Sequence, residues 1–381
     1  MAGPSVNDAT PGPEPEDAAP GEDAAPAAPR PLGPPLYPPL APTVITLRVI
    51  FGVLLAAAVL YAPIYFTPQN NRILSQAIYL AVAAMGLNLL TGFNGQISIG
   101  HGAFFAVGAF TTAILMVDHN WTFEATIPIA AVLAGTVGLL VGFPALRVRG
   151  LYLALVTLGL AVLAPQVANK YVHGTGGRPL LQPRRSEFSS LLTFLDDDQW
   201  MYYLCLAIAA LLFFVAWNLV RSRVGRAMVA CRDEELAAST LGVNLAGTKV
   251  GTFAISAAYA GIAGSLSVMV DRLADGTNPV LYFQRSIEFL VAVVIGGAAT
   301  MFGPIVGAVL LVLLRRNTQD LLEGQKAQVL SPALYGAALM AIVYVLPEGV
   351  VGGVRRLVAR VARQQPVATA QPPSSPTPEP A

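Results

Sequence analysis

Charged residues avoid the interior of this 381-residue chain: Asp, Glu, Lys and Arg gather near its ends and in a few short stretches, with long uncharged apolar runs between them. A run of ~20 apolar residues coiled as a helix spans the ~30 Å hydrocarbon layer of a bilayer. No water satisfies backbone N–H and C=O groups inside that layer, so each run must close its own hydrogen bonds. The chain is 55% hydrophobic and 12% charged, far from the roughly 25% charge of soluble domains. With a mean hydropathy of +0.60, an ordinary soluble globule is excluded. The fold class read from this is an all-α integral membrane protein.

The apolar runs predict spans near 44–66, 73–91, 97–117, 125–145, 150–168, 201–220 and 249–270. Segment 286–322 is too long for one crossing and is interrupted by Gly296, Gly297, Gly303 and Pro304. It divides into helices near 286–299 and 303–322, turning at Ala299 to Pro304, the first of them short for a full span. A last span at 332–350 brings the total to about ten. Small residues recur at helix-packing spacing, as in Gly138 and Gly142, or Ser256, Ala260 and Gly264, or Gly303 and Gly307. These imply close helix approach and nothing more.

Residues 1–43 are rich in Pro, Ala and Gly and carry six acids against the single Arg30, without apolar periodicity. They read as a disordered tail, and the absence of a basic and apolar leader makes the first run an uncleaved anchor. The segment 354–381 reads as a basic and then Pro-rich tail. Between them lies a membrane domain at 44–353.

The Lys/Arg bias of short loops orients the chain. Arg147 and Arg149 follow the fourth span, and Arg221, Arg223, Arg226, Arg232 and Lys249 follow the sixth. Both stretches fall on the cytoplasmic side if the N-terminus does. Arg355, Arg356, Arg360 and Arg363 join them only if the eighth region is divided. That division leaves Arg315 and Arg316 in the outer half of an outward-going helix.

Several function classes are disfavoured. A net charge of +1 and the lack of a basic, aromatic-laced tract leave no case for nucleic acid. Cys205 and Cys231 make no metal or redox spacing. There is no phosphate-binding loop, since Gly247-Thr248-Lys249-Val250 lacks both the first glycine and the final hydroxyl. Any ATP is therefore hydrolysed elsewhere. The first seven spans place no acid, Lys or Arg at mid-bilayer, which argues against an ion-coupled carrier or channel. Glu288 reads as an interfacial acid.

Two interruptions carry the chemistry. At 88–102, Asn88, Gly92, Asn94, Gly95, Gln96, Ser98, Gly100, His101 and Gly102 place glycines and neutral hydrogen-bonding groups where two spans meet. Broken helices survive in a membrane only if buried in protein or lining a wet cavity. This one either borders a translocation path or is a hairpin whose polar groups satisfy one another. His101 reads as a packed, hydrogen-bonded histidine. The second interruption is the loop 221–249, whose middle, Gly225 to Leu241, predicts a short helix capped by Gly242.

The order of residues in that loop, GRAM at 225–228, RDEELAA at 232–238 and LGVN at 241–244, resembles the coupling loop of ATP-binding-cassette importer permeases. The match is closest to the branched-chain amino-acid permease family. It extends from about Ala77 to Gly353. GLNLLTGFNGQISIGHGAFF at 86–105, RVRGLYLALVTLG at 147–159, Thr175-Gly176-Gly177, and Ser286-Ile287-Glu288 leading to Gly296-Gly297 and Phe302-Gly303-Pro304 are similar to that family's signatures. The whole resembles the longer, M-type, of the two permeases such systems use. Two departures stand out: Ala298 or Ala299 where the family often has glycine, and Arg178-Pro179 in an outer loop.

The resemblance implies an importer-type helix bundle with a cytoplasmic coupling helix, not itself an enzyme, in a bacterial inner membrane with both termini cytoplasmic. It would form half the path for leucine, isoleucine and valine, with urea or short amides as rival cargo. Its partners would be a second permease, two ATPase subunits that bind the ATP and Mg, and an extracytoplasmic binding protein; this chain would hold no cofactor. Arg226, Arg232, Asp233, Glu234, Glu235, Leu236, Ala237, Ala238 and Gly242 would couple to the ATPase. Asn88, Gly92, Asn94, Gln96, Ser98, His101, Tyr152 and Thr157 would border the path.

Overall fold

The computed structural model describes residues 42–146, 151–171, 178–179, 196–274, 279–320, 325–346, 348–354 and 356. Most of both tails, Arg147 and Arg149, and Thr175 to Gly177 lie outside the described residues. The helices are α1 (Pro42–Tyr65), α2 (Pro68–Leu87), α3 (His101–Val117), α4 (Phe123–Ala145), α5 (Leu151–Tyr171) and α6 (Asp197–Arg221). They continue as α7 (Arg223–Asp233), α8 (Glu235–Thr240), α9 (Leu245–Asp271), α10 (Pro279–Gly296), α11 (Gly303–Asp320) and α12 (Gln325–Val345). A two-residue antiparallel pairing of Arg178–Pro179 with Leu273–Ala274 is the β structure among the described residues. The chain divides into two units after Ala57. The first holds the start of α1, and everything below concerns the second.

Among the described residues, five segments are long and apolar enough to cross a membrane, four of them α2 with its extension to Phe93, α4, α6 and α9; the fifth is residues 333–354. Shorter apolar helices lie in α1, α3 and α5. The central helices are α2 and α9, with α9 packed on α2, α3 and α4 and α2 also on α6 and α11. Lipid gives helices no hydrophobic reason to associate, so close backbone approach through small residues holds them together. At the crossing of α3 and α9 a Cβ on Gly108 would overlap the Gly261 carbonyl, and one on Gly261 would overlap Ala134 of α4. Leu211, Phe214 and Val215 of α6, and Leu155, Val156 and Leu163 of α5, are exposed, as suits helices facing hydrocarbon.

The region read as divided is two helices. Helix α10 begins at Pro279, seven residues before the expected start, because proline suits the first helical turn, where its missing N–H costs nothing. It stops at Gly296, since Gly297 (φ 113°) and Ala299 (φ 58°) leave the right-handed region. Ala299 thus holds a backbone conformation that glycine adopts at no cost. Two other expectations are corrected. The third span does not start at 97: residues 95–100 are non-helical and α3 begins at His101. The single helix expected at 225–241 is two, α7 and α8, separated by extended Glu234 (φ −157°, ψ 107°).

Candidate functional site

Helix α2 ends in a widened, π-type turn at Asn88–Phe93, in which Asn94 N–H donates to Leu89 O (3.2 Å). Such insertions free carbonyls and redirect the chain. The Asn88 amide, wholly buried, clamps the turn to the α10–α11 connection. Its Nδ2 donates to Thr300 O (2.8 Å) and its Oδ1 accepts from Ala299 N–H (2.9 Å).

From Gly95 the chain runs without helix to Gly100 and enters α3 at His101, level with Ser256 near the middle of the 27-residue α9. Non-helical backbone therefore enters the bundle, with Ser98 and Gly100 buried while Gly95 and Ile97 stay exposed. A neutral network receives it. Ser256 Oγ donates to Gly86 O (2.5 Å) and has no second proton, so His101 Nε2–H must donate to Ser256 Oγ (2.5 Å). Its Nδ1 then accepts from the Ser98 hydroxyl (3.2 Å). Gly102 N–H donates to Ser286 Oγ (2.7 Å), and Ile99 N–H to Thr157 Oγ1 (3.2 Å). The histidine is a packed, neutral imidazole. Ser256 and Ser286 take part in three of these five hydrogen bonds, yet sequence reading took Ser256 for a packing residue and Ser286 for part of a signature.

The structure does not gather all the expected path residues into one place. Asn88 and Gly92 meet the 299–300 turn, whereas Ser98 meets His101, Thr157 meets Ile99 and Gly100, and His101 reaches Ser256 of α9. Asn94 and Gln96 lie between, with both polar atoms of Asn94 and Oε1 of Gln96 buried and unpartnered among the described residues. Tyr152, 73% exposed, stands on the outer surface of α5, away from both groups.

The loop between α6 and α9 reaches the broken helix directly. Arg232 Nη1 donates to Gly92 O (3.0 Å), its carbon stem lies against Gly95, and its Nη2 pairs with Asp233 (2.8 Å). A carbonyl left open by the end of α2 is thus capped by a side chain 140 positions away. Ser222 and Asn244 cap the starts of α7 and α9 by accepting from Val224 and Gly247 N–H. Lys249 pairs with Glu235 at 2.6 Å, and Arg226 is exposed, donating to Arg221 O. Burial pushes the Cys231 thiol up, outweighing the lowering effect of nearby Lys249. Ala238 is only 2% exposed and packs inward, whereas Leu236 at 77% and Leu241 at 83% project outward with Ala237, Asp233 and Glu234. Leu241 was not among the expected contact residues.

Gly242 ends α8 in the left-handed region (φ 82°). Val243 N–H donates to Ala238 O and Gly242 N–H to Ser239 O, the paired bonds of a Schellman cap. An added Cβ would meet nothing within 4 Å, so only the backbone resists substitution. Gly242→Val should cost about 1–2 kcal/mol and fray α8, seen as faster amide exchange at Leu241 and Val243. Gly242→Asn should be nearly silent.

At the other end of α2, α9, α10 and α11 is a cavity of about 950 Å³ whose lining includes four arginines and two carboxylates. Arg285 pairs with Glu288 (2.9 Å) and faces Asp271 (3.8 Å); Arg315 also binds Glu288 (3.0 Å). Gln76 and the Tyr79 hydroxyl donate to Asp271 (2.8 and 3.1 Å), and Arg316 donates to Asn70 (2.7 Å). The awkward Arg315 and Arg316 of the sequence are therefore housed in a polar cavity. Glu288 is not an isolated interfacial acid. The cavity floor is aromatic: Phe105 lies 5.3 Å from Phe289 and 6.5 Å from Tyr282 between ring centres, one turn above the His101 network.

The family described as branched-chain amino acid transport system / permease component matches residues 70–343. LivM, a high-affinity branched-chain amino acid transport system permease protein of Escherichia coli K12, is 33% identical over 268 residues, which cover 65% of this chain and 62% of LivM. The match thus spans less than two thirds of that relative's length. LivH, the permease protein of the same description from E. coli K12, is 25% identical over 312 residues, 76% of this chain and 96% of LivH. The galactose/methyl galactoside import permease protein MglC of Salmonella typhimurium is 26% identical over 285 residues, 69% of this chain and 82% of MglC. No solved structure matches.

Proposed function

The chain belongs to the family of branched-chain amino acid transport system permease components, and from that premise we propose that it forms half of an ATP-driven import path for leucine, isoleucine and valine. It works beside a second permease, two ATPase subunits that bind ATP and Mg, and an extracytoplasmic binding protein, in a bacterial inner membrane. Its coupling surface is Leu236, Ala237 and Leu241 with Arg226, Asp233 and Glu234, which supply apolar contact and charge-assisted bonds to an ATPase groove. The observation that carries this reading is the Arg232 bond to Gly92 O. It joins the coupling loop to the broken helix, so a push on α7 and α8 moves the polar segment around Asn94 and Gln96. That segment borders the path together with Ser98, His101 and Thr157. The coupling loop and both termini lie in the cytoplasm, and the charged cavity opens outward.

The complete transporter in proteoliposomes tests this. Leucine uptake should require ATP and all partner chains, and should persist when a protonophore collapses the ion gradient. Excess urea should not compete. Uptake by this chain without ATPase subunits, or uptake abolished by the protonophore at constant ATP, would count decisively against it.

A further inference from the structure

We propose that the cavity between α2, α9, α10 and α11 is a receiving site for one zwitterionic α-amino acid with an aliphatic side chain. This deepens the function proposed above and rests on it. Volume is the first argument, because about 950 Å³ lies at the upper end of small-molecule sites and leaves an amino acid room to enter and turn. Charge is the second. Asp271 is held in place by Gln76 and Tyr79 but meets Arg285 only at 3.8 Å, while Arg285 and Arg315 share Glu288. A zwitterion brings an ammonium for Asp271 and a carboxylate for the Arg285 fork. Each protein charge then exchanges one opposite charge for another, and no ion is left unpaired in a poorly solvated site.

The third argument is the floor. Leu80, Phe105, Val268 and Leu311 are all buried beneath the charged rim, so an aliphatic side chain pointing down meets apolar atoms while its polar end stays above. Urea and short amides have neither charge and too little apolar surface to use this arrangement. The site selects within the family's cargo by chemistry, after the binding protein has released its load.

The experiment uses the complete transporter in proteoliposomes with Leu281→Cys, a lining position one turn before Arg285 on α10. Native Cys205 and Cys231 are buried, so a membrane-impermeant thiol reagent reports on the new site. Millimolar L-leucine should slow modification about tenfold, the scale of one charge-assisted contact. Isocaproate, leucinamide and urea at equal concentration should not. Adding Arg285→Gln, or separately Asp271→Asn, should remove the protection by leucine. Two variants on different charges guard against one merely misfolding, and modification rates without leucine show whether the cavity is intact. Leucine uptake by the Leu281→Cys transporter without protection, or equal protection by urea, overturns the inference while leaving the functional reading in place. A transporter that moves urea and not leucine overturns both.

Discussion

Arg232→Met is expected to cut ATP-driven uptake by roughly one to two orders of magnitude while the chain still inserts and assembles. Methionine keeps an unbranched stem against Gly95 and so preserves the packing. It removes the guanidinium that donates to Gly92 O at 3.0 Å and pairs with Asp233. A charge-assisted hydrogen bond contributes about 1.5–3 kcal/mol, and each 1.4 kcal/mol is about a factor of ten. Substrate-stimulated ATP hydrolysis should fall with uptake, because the loop no longer grips the helix it is meant to move. Arg232→Lys retains charge without the planar fork and should fall between. Wild-type uptake in Arg232→Met would remove the link from loop to path.

Asn88→Leu should destabilise the folded chain rather than lower transport alone. Leucine matches asparagine in size, but both ends of the Asn88 amide are used, and the change strands Ala299 N–H and Thr300 C=O in a half-buried turn. A buried group left unpaired costs about 1–3 kcal/mol, so the loss is expected in thermal melting of the detergent-solubilised complex and in membrane abundance. From its residues alone, this substitution reads as one that lowers uptake and spares assembly; the clamp on the 299–300 turn reverses that expectation. Asn88→Asp keeps the acceptor for Ala299 but sets a buried carboxylate oxygen against the Thr300 carbonyl, and should destabilise at least as much. Gln96→Leu is the informative contrast. Gln96 Oε1 already lacks a partner, so its removal should leave melting unchanged, and a fall in uptake would report on the path itself.

Much of this was legible before any helix was placed. The long uncharged runs announce a membrane bundle, because solvent preference is a property of each residue and averages along the chain. The division at Gly296 to Pro304 and the cap at Gly242 are local as well, since glycine and proline act on their own dihedral angles. The break at 88–102 is visible as an excess of Gly, Asn, Gln and Ser where apolar residues are otherwise the rule. Its neighbours are not. Nothing near Gly92 in the chain points to Arg232, and nothing near Asn88 points to Ala299.

What the amino-acid sequence by itself determined, then, is the class, the family and the two interruptions that matter. Tertiary structure alone decided how they are used: that Arg232 caps the broken helix, that Ala238 faces inward while Leu236 and Leu241 face out, and that Tyr152 stands apart from the polar segment. It also decided that Gln76, Tyr79, Asp271, Arg285, Glu288 and Arg315, drawn from four helices, surround one cavity. Read along the chain these are isolated polar and charged residues near span ends, each costly in a bilayer. The crossing angles and register of packed helices set which of them meet, and those depend on side-chain contacts between residues far apart in sequence.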